Sequence, residues 1–228
     1  MRRRLGFVLA VLLLSLGVTA CTTRTTPPAG YWYPEGMDPG WMGPGGMMGR
    51  GGMMGPGGPY RSGGQRITMT QAIQIVNDYL RYRGDTDLEA TEIIEFEYNF
   101  YVIFREKATG INAFEALIDP YTGDMYPEPG PNMMWNAKYG MMSGSWGIPA
   151  PSAEMSVDEK RAKQYAEDFV KVYLPGATME DADRFYGYYT LHFLSGGQIY
   201  GMLSVNGYTG QVWYHSWHGR YLSEKELS

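Results

Sequence analysis

One cysteine and three histidines are all that 228 residues contain of the two side chains most used as nucleophile, proton shuttle or metal ligand. With Cys21 alone no internal disulfide can form. The His-Glu-x-x-His pair of zinc peptidases, the Gly-x-Ser-x-Gly elbow of serine hydrolases and the Gly-x-x-x-x-Gly-Lys-[Ser/Thr] phosphate loop are all absent. No catalytic residue can be named, and the chain is expected not to be an enzyme. Basic residues are also in the minority, 19 against 24 acidic, for a formal charge of −5. Such a balance disfavours nucleic acid as a partner, because a phosphate backbone repels an acidic chain.

Long apolar runs are scarce as well. The one present, Leu5 to Val18, follows Arg2, Arg3 and Arg4 and ends in small residues. It falls short of the roughly 20 residues a membrane-spanning helix needs. A basic start, an apolar middle and a small-residue end form an export signal, residues 1–20, that the mature protein loses. Val18, Thr19, Ala20 and Cys21 resemble the lipobox of bacterial lipoproteins, although Val18 stands where that family usually has leucine. The resemblance implies that Cys21 is the lipid attachment site and that the membrane is a partner through an N-terminal anchor. Thr22 in place of aspartate implies the outer membrane, facing the periplasm, if the source is Gram-negative. Without the three arginines the formal charge becomes −8.

Regular periodicity is missing from residues 21–65, where Gly, Pro and Met dominate, as in "GMMGRGGMMGPGG". Glycine loses much chain entropy on ordering and offers no apolar surface in return, so this stretch reads as a tether.

From Arg66 the pattern changes. "ITMTQAIQIVNDYLRYRG" opens with Thr68 and Gln71 in capping-box spacing and predicts a helix over about 69–82, with Ala72, Ile75, Val76, Tyr79 and Leu80 near one side. "EIIEFEY", "FYVIFRE", "INAFEALID" and "TGDMY" predict strands. The second half repeats this order. Ser156 and Glu159 have capping-box spacing, Ala162, Tyr165, Ala166, Phe169 and Val170 form a face, and "RFYGYYTLHFL", "IYGMLSVN" and "TGQVWYHSW" predict strands. Thr122 and Thr209 stand at matching places in "IDPYTGDMY" and "VNGYTGQVW", offset by nearly the same number as Thr68 and Ser156. Two copies of one unit follow. The expected fold class is α+β: two tandem units, residues 66–127 and 155–220, each one helix packed on a three- to four-stranded antiparallel sheet. A Met/Gly/Pro-rich link, 128–154, joins them, and 221–228 form a tail.

A helix, antiparallel strands and a closing Asp-x-x-Thr-Gly turn, present here as Asp119 to Gly123 and with Asn206 for aspartate as Asn206 to Gly210, resemble the PepSY domain. That resemblance implies an exported module that binds protein or peptide through its sheet edges. It also implies a possible role as inhibitor or chaperone of an exported peptidase, and it carries no catalytic residue.

Two sets of candidate ligands remain. Methionine thioethers suit soft Cu(I) or Ag(I), and they cluster as Met47, Met48, Met53 and Met54 in the tether and as Met133, Met134, Met141 and Met142 in the link. The same residues also read as a spacer or an oxidant sink. "HSWH" places His215 and His218 three apart at the end of the last predicted strand, where a turning backbone could bring both to one ion. A strand running straight on would send them to opposite faces, and the reading preferred is surface histidines beside Trp213 and Trp217. Glu95 and Glu97 read as a solvated strand face.

Overall fold

The computed structural model describes residues 64–144, 149–152 and 154–227. The expected signal peptide, Cys21, Met47, Met48, Met53 and Met54 lie outside the described residues.

Helix α1, Met69–Arg83, begins as the sequence predicts: Thr68 Oγ1 accepts from the Gln71 amide while the Gln71 side chain accepts from the Thr68 amide. It stops at Gly84, whose φ of 68° lets its amide reach back to Leu80 O. Four strands follow, β1 (Leu88–Phe96), β2 (Phe100–Glu106), β3 (Asn112–Ile118) and the short β4 (Met125–Pro127). The one-turn α2 (Pro131–Met134) leads to α3 (Glu159–Tyr173). The second capping box is not used. Asp158 caps α3 by accepting from the Arg161 amide, and Ser156 Oγ donates to Tyr208 O instead. Strands β5 (Thr178–Met179), β6 (Asp183–Arg184), β7 (Tyr188–Ser195), β8 (Gln198–Asn206), β9 (Val212–Tyr214) and β10 (Tyr221–Glu226) complete the chain.

The two turn motifs fold alike. Asp119 Oδ1 accepts from the Tyr121 and Thr122 amides, and Asn206 Oδ1 accepts from the Tyr208 and Thr209 amides. Gly123 and Gly210 follow with φ of 75° and 74°. Asparagine serves as well as aspartate because only the acceptor oxygen is used.

The expected fold of two tandem helix-on-sheet units is overturned. The chain builds two antiparallel sheets of five strands each, the first in the order β10-β1-β2-β3-β4, the second as β5-β7-β8-β9 with β6 also on β7. Strand β10, from beyond the second expected unit, pairs with β1 from Glu92 with Glu226 to Phe96 with Tyr221. The first sheet is therefore made from both ends of the described chain. Its outer face, with Ile93, Phe100, Val102, Phe104 and Ile118, packs under α1 through Ala72 and Val76. The outer face of the second sheet, with Tyr189, Leu191, Phe193, Leu203 and Val205, packs under α3.

The inner faces meet each other through Ile94, Phe96, Tyr101, Ile103, Leu117, Tyr188 and Met202. Burial on both faces of β2, where Phe100 and Tyr101 are alike fully enclosed, drives this stacking. Each such side chain contributes about 1.5–3 kcal/mol, which a lone helix-covered sheet would forfeit on its second face.

Candidate metal centre between the sheets

Polar residues interrupt the apolar layer between the sheets. Glu128 follows β4, and its amide donates to Glu115 O, which draws it under the sheet. Strand β9 ends at Tyr214, and the turning backbone that follows brings His215 and His218 to the same side as Glu128. The expectation of surface histidines is overturned: His215 is 2% exposed, His218 3% and Glu128 fully buried. The strand stops where a straight continuation would have separated the two imidazoles, and that stop could not be read from alternation alone.

Glu128 Oε1 lies 3.3 Å from His215 Nδ1 and 3.0 Å from His218 Nε2, and it accepts a hydrogen bond from Trp217 Nε1 at 3.1 Å. By distance the imidazoles could bond the carboxylate. Their directions miss it: His215 Nδ1, His218 Nε2 and Glu128 Oε2 all lack a hydrogen-bond partner.

Neighbouring bonds explain why both nitrogens face the carboxylate bare. Asn99 donates its amide to Trp217 O at 3.0 Å, so its Oδ1 is the acceptor for His218 Nδ1–H at 2.8 Å. On the other side, Thr190 Oγ1 donates to Glu115 Oε1 at 2.7 Å. With that hydrogen committed, Ser204 Oγ donates to Thr190 at 2.9 Å and accepts from His215 Nε2–H at 2.9 Å. Each imidazole thus holds its hydrogen on the outer nitrogen and turns a lone pair toward Glu128. Stacking fixes both rings further, His215 on Trp217 at 4.7 Å and His218 on Phe96 at 4.6 Å.

Burial and the Glu128 charge push the Glu115 carboxyl well above its ordinary value. Tyr188 donates to its Oε2 at 2.7 Å, and the same hydroxyl reaches Asn132 Oδ1 at 3.3 Å. Oε1 accepts from Tyr101 and Thr190. Burial lowers His218.

Chemically this is a cation cradle. Two lone pairs and a carboxylate oxygen repel one another at 3.0–3.3 Å unless a positive charge lies among them. Neighbouring ligand atoms of a tetrahedral Zn²⁺ with bonds of about 2.0–2.1 Å are about 3.3 Å apart, close to the two nitrogen-to-carboxylate spacings here. Ring hydrogens on the outer nitrogens, given to a carbonyl-type or hydroxyl oxygen, are the usual support of metal-bound histidine.

A second convergence lies elsewhere between the sheets, where Glu92, Asp183 and His192 bring one ligand atom each within 4.8 Å of one another. Burial pushes the Glu92 carboxyl up to about 7 and raises Asp183 too. Burial acts to lower His192, but the Glu180, Glu92 and Asp183 carboxylates together outweigh it and lift the imidazole.

The methionine candidates in the link fall differently. Met133 is half-buried, while Met134, Met141 and Met142 are exposed. The Met142 amide reaches Met133 O at 3.4 Å, so the two pairs share one short loop. Glu95 pairs with Arg66 at 2.9 Å and Glu97 with Arg220 at 3.2 Å.

No family model matches the chain, and no curated protein matches it. Among solved structures it is similar to the Bacillus megaterium YpeB C-terminal domain, with 13% identity and a TM-score of 0.25, covering 68% of this chain and 64% of that one. The chain therefore spans less than two thirds of the length of the structure it matches, and a likeness this distant carries no argument about function.

Proposed function

We propose that this protein is a non-enzymatic binding protein of the cell envelope whose folded part holds one divalent transition-metal ion, of the Zn²⁺ class, on Glu128, His215 and His218. The observation that carries the reading is the convergence of two buried imidazole nitrogens without hydrogen-bond partners on the buried Glu128 carboxylate, whose Oε2 also has none, with both ring tautomers already set to offer lone pairs. Two imidazoles and one carboxylate suit Zn²⁺ or a neighbouring first-row ion. A substrate has no route to ligands that are 0–3% exposed, which favours holding an ion over catalysis. The export signal and Cys21 support an envelope location with a lipid anchor.

Capture of a peptide strand, the binding mode implied by the PepSY resemblance, has less support. Strand β10 occupies the edge of β1, and β10 itself presents Glu224, Lys225 and Glu226, the kind of charged edge that resists further pairing. The other edge strands are two or three residues long.

Zn²⁺ titration of the full chain against a chromophoric chelator tests the reading, with Co²⁺ visible absorption as a second probe. Replacing Glu128→Gln and His218→Gln together is expected to remove the tightest Zn²⁺ equivalent and the absorption bands of four-coordinate Co²⁺. Unchanged affinity and bands in a folded variant overturn it. A second reading, Cu(I) or Ag(I) on Met133, Met134, Met141 and Met142, is favoured by the backbone contact that joins the two methionine pairs. Replacing all four by leucine is expected to abolish Cu(I) binding, and unaltered binding removes the link from that role.

A further inference from the structure

Glu92, Asp183 and His192 are drawn together by irregularities that recur in both sheets. Strand β1 carries a bulge between Ala90 and Glu92 against β2, after which Glu92 lies on the same strand face as Ile94 and Phe96 of the inner layer. The matching strand of the second half is broken outright: β5 and β6 both pair with β7, and the chain between them slips. Asp183 opens β6 immediately after this break. His192 stands on β7 between them, in the alternation that sends Tyr188 and Thr190 inward. Bulges re-aim side chains and gather beside functional sites.

His192 is 5% exposed, and its Nε2 has no hydrogen-bond partner. Its Nδ1 lies 3.3 Å from Glu180 Oε2, which holds the ring. Asn112 donates to Asp183 Oδ1 at 3.2 Å, an outer support for one carboxylate oxygen. No lysine or arginine among the described residues pairs with Glu92 or Asp183. Instead Glu224 and Glu226 of β10 add like charge around Glu92. Two half-buried carboxylates with no lysine or arginine paired to them, converging on a buried imidazole whose Nε2 has no hydrogen-bond partner, form a built receptor for a cation.

We infer that Glu92, Asp183 and His192 form a second divalent-cation site, distinct from the Glu128 centre and of harder character, taking an ion of the Mn²⁺ class. Two carboxylates and one imidazole favour such an ion more than do two imidazoles and one carboxylate. The half-buried carboxylates leave room for coordinated water, so this site exchanges with solvent where the Glu128 centre does not. The Tyr101 ring separates the two, edge-on to His192 at 6.4 Å and to His218 at 5.7 Å between centroids. Each site is therefore mononuclear, since paired metals sharing ligands lie about 3.5–4 Å apart.

The test is Mn²⁺ titration of the full chain, followed by loss of the free-ion electron paramagnetic resonance signal. Glu92→Gln and Asp183→Asn keep the shape of half-exposed side chains and so keep the fold. Each is expected to weaken Mn²⁺ binding by more than the roughly 10- to 100-fold that loss of an outer-shell partner costs. His192→Gln is expected to do the same, and Glu97→Gln, at an exposed ion pair, to change nothing. Equal Mn²⁺ affinity in the wild type and the three site variants overturns the inference. So does Mn²⁺ binding that disappears in Glu128→Gln but persists in Glu92→Gln. Cobalt absorption from the Glu128 centre reports on the first reading separately, so failure of one site is not mistaken for failure of the other.

Discussion

Glu106 joins three separate parts of the chain, and its removal gives the sharpest test of how the halves are held. At the end of β2 its carboxylate is 2% exposed. It receives hydrogen bonds from Lys138 at 2.5 Å and Tyr139 at 2.5 Å in the connecting segment. Tyr186 in the second half adds one at 2.6 Å and Thr109 another at 2.9 Å. Burial acts to raise this carboxyl, but the four donors outweigh it and hold the value at about 2 rather than the ordinary 4.5. A difference of that size corresponds to about 3 kcal/mol of folding stability at neutral pH. Lys138 is raised to about 12 by the same contact, and its partial exposure makes it the weaker contributor. The folded value lies below the unfolded one, so the unfolded chain takes up the proton first. The stabilisation is complete above about pH 4.5 and fades as pH falls toward 2. Glu106→Gln keeps the shape and removes the charge. Urea denaturation at pH 7 is expected to show the variant about 3 kcal/mol less stable, and the gap should narrow steadily from pH 4.5 downward. A gap that is the same at pH 7 and pH 3 refutes the argument.

Three further outcomes are expected. Ser204→Ala or Asn99→Ala frees His215 or His218 to turn its ring, and Zn²⁺ affinity measured by chelator competition should fall roughly 10- to 100-fold without loss of fold. At Gly187, φ is 104° and an added Cβ would come within 2.5 Å of Trp135 O, so Gly187→Ala should lower stability by at least about 2 kcal/mol in thermal unfolding. Gly196→Ala, with φ of 63° and open space around the new carbon, should cost only about 1 kcal/mol. Cys21→Ser should abolish the mass increment of acylation and release the protein from membranes. An unaltered mass spectrum counts against the lipid anchor.

Local structure was legible wherever it depends on neighbours in sequence. Thr68 and Gln71 cap α1 because a box needs only residues three apart, and the Asp119 and Asn206 turns form because an acceptor oxygen and a following glycine suffice. The second cap was misread for the same kind of reason: Ser156 and Asp158 both suit the role, and the contact of Ser156 with Tyr208 O, remote in sequence, settled which one takes it. Glu95 was legible as a polar strand position, since alternation reports it.

The sequence by itself determined helix α1 with its cap, the main strands that follow it and the two turns at Asp119 and Asn206, because these follow from spacing within a dozen residues. Tertiary structure alone decided that β10 joins β1, that the two sheets stack, and that Glu128 meets His215 and His218 while Glu92 meets Asp183 and His192. Those pairings span 87 to 134 residues of chain. They arise when two apolar inner faces are pressed together and strand breaks turn selected polar side chains into the layer between them.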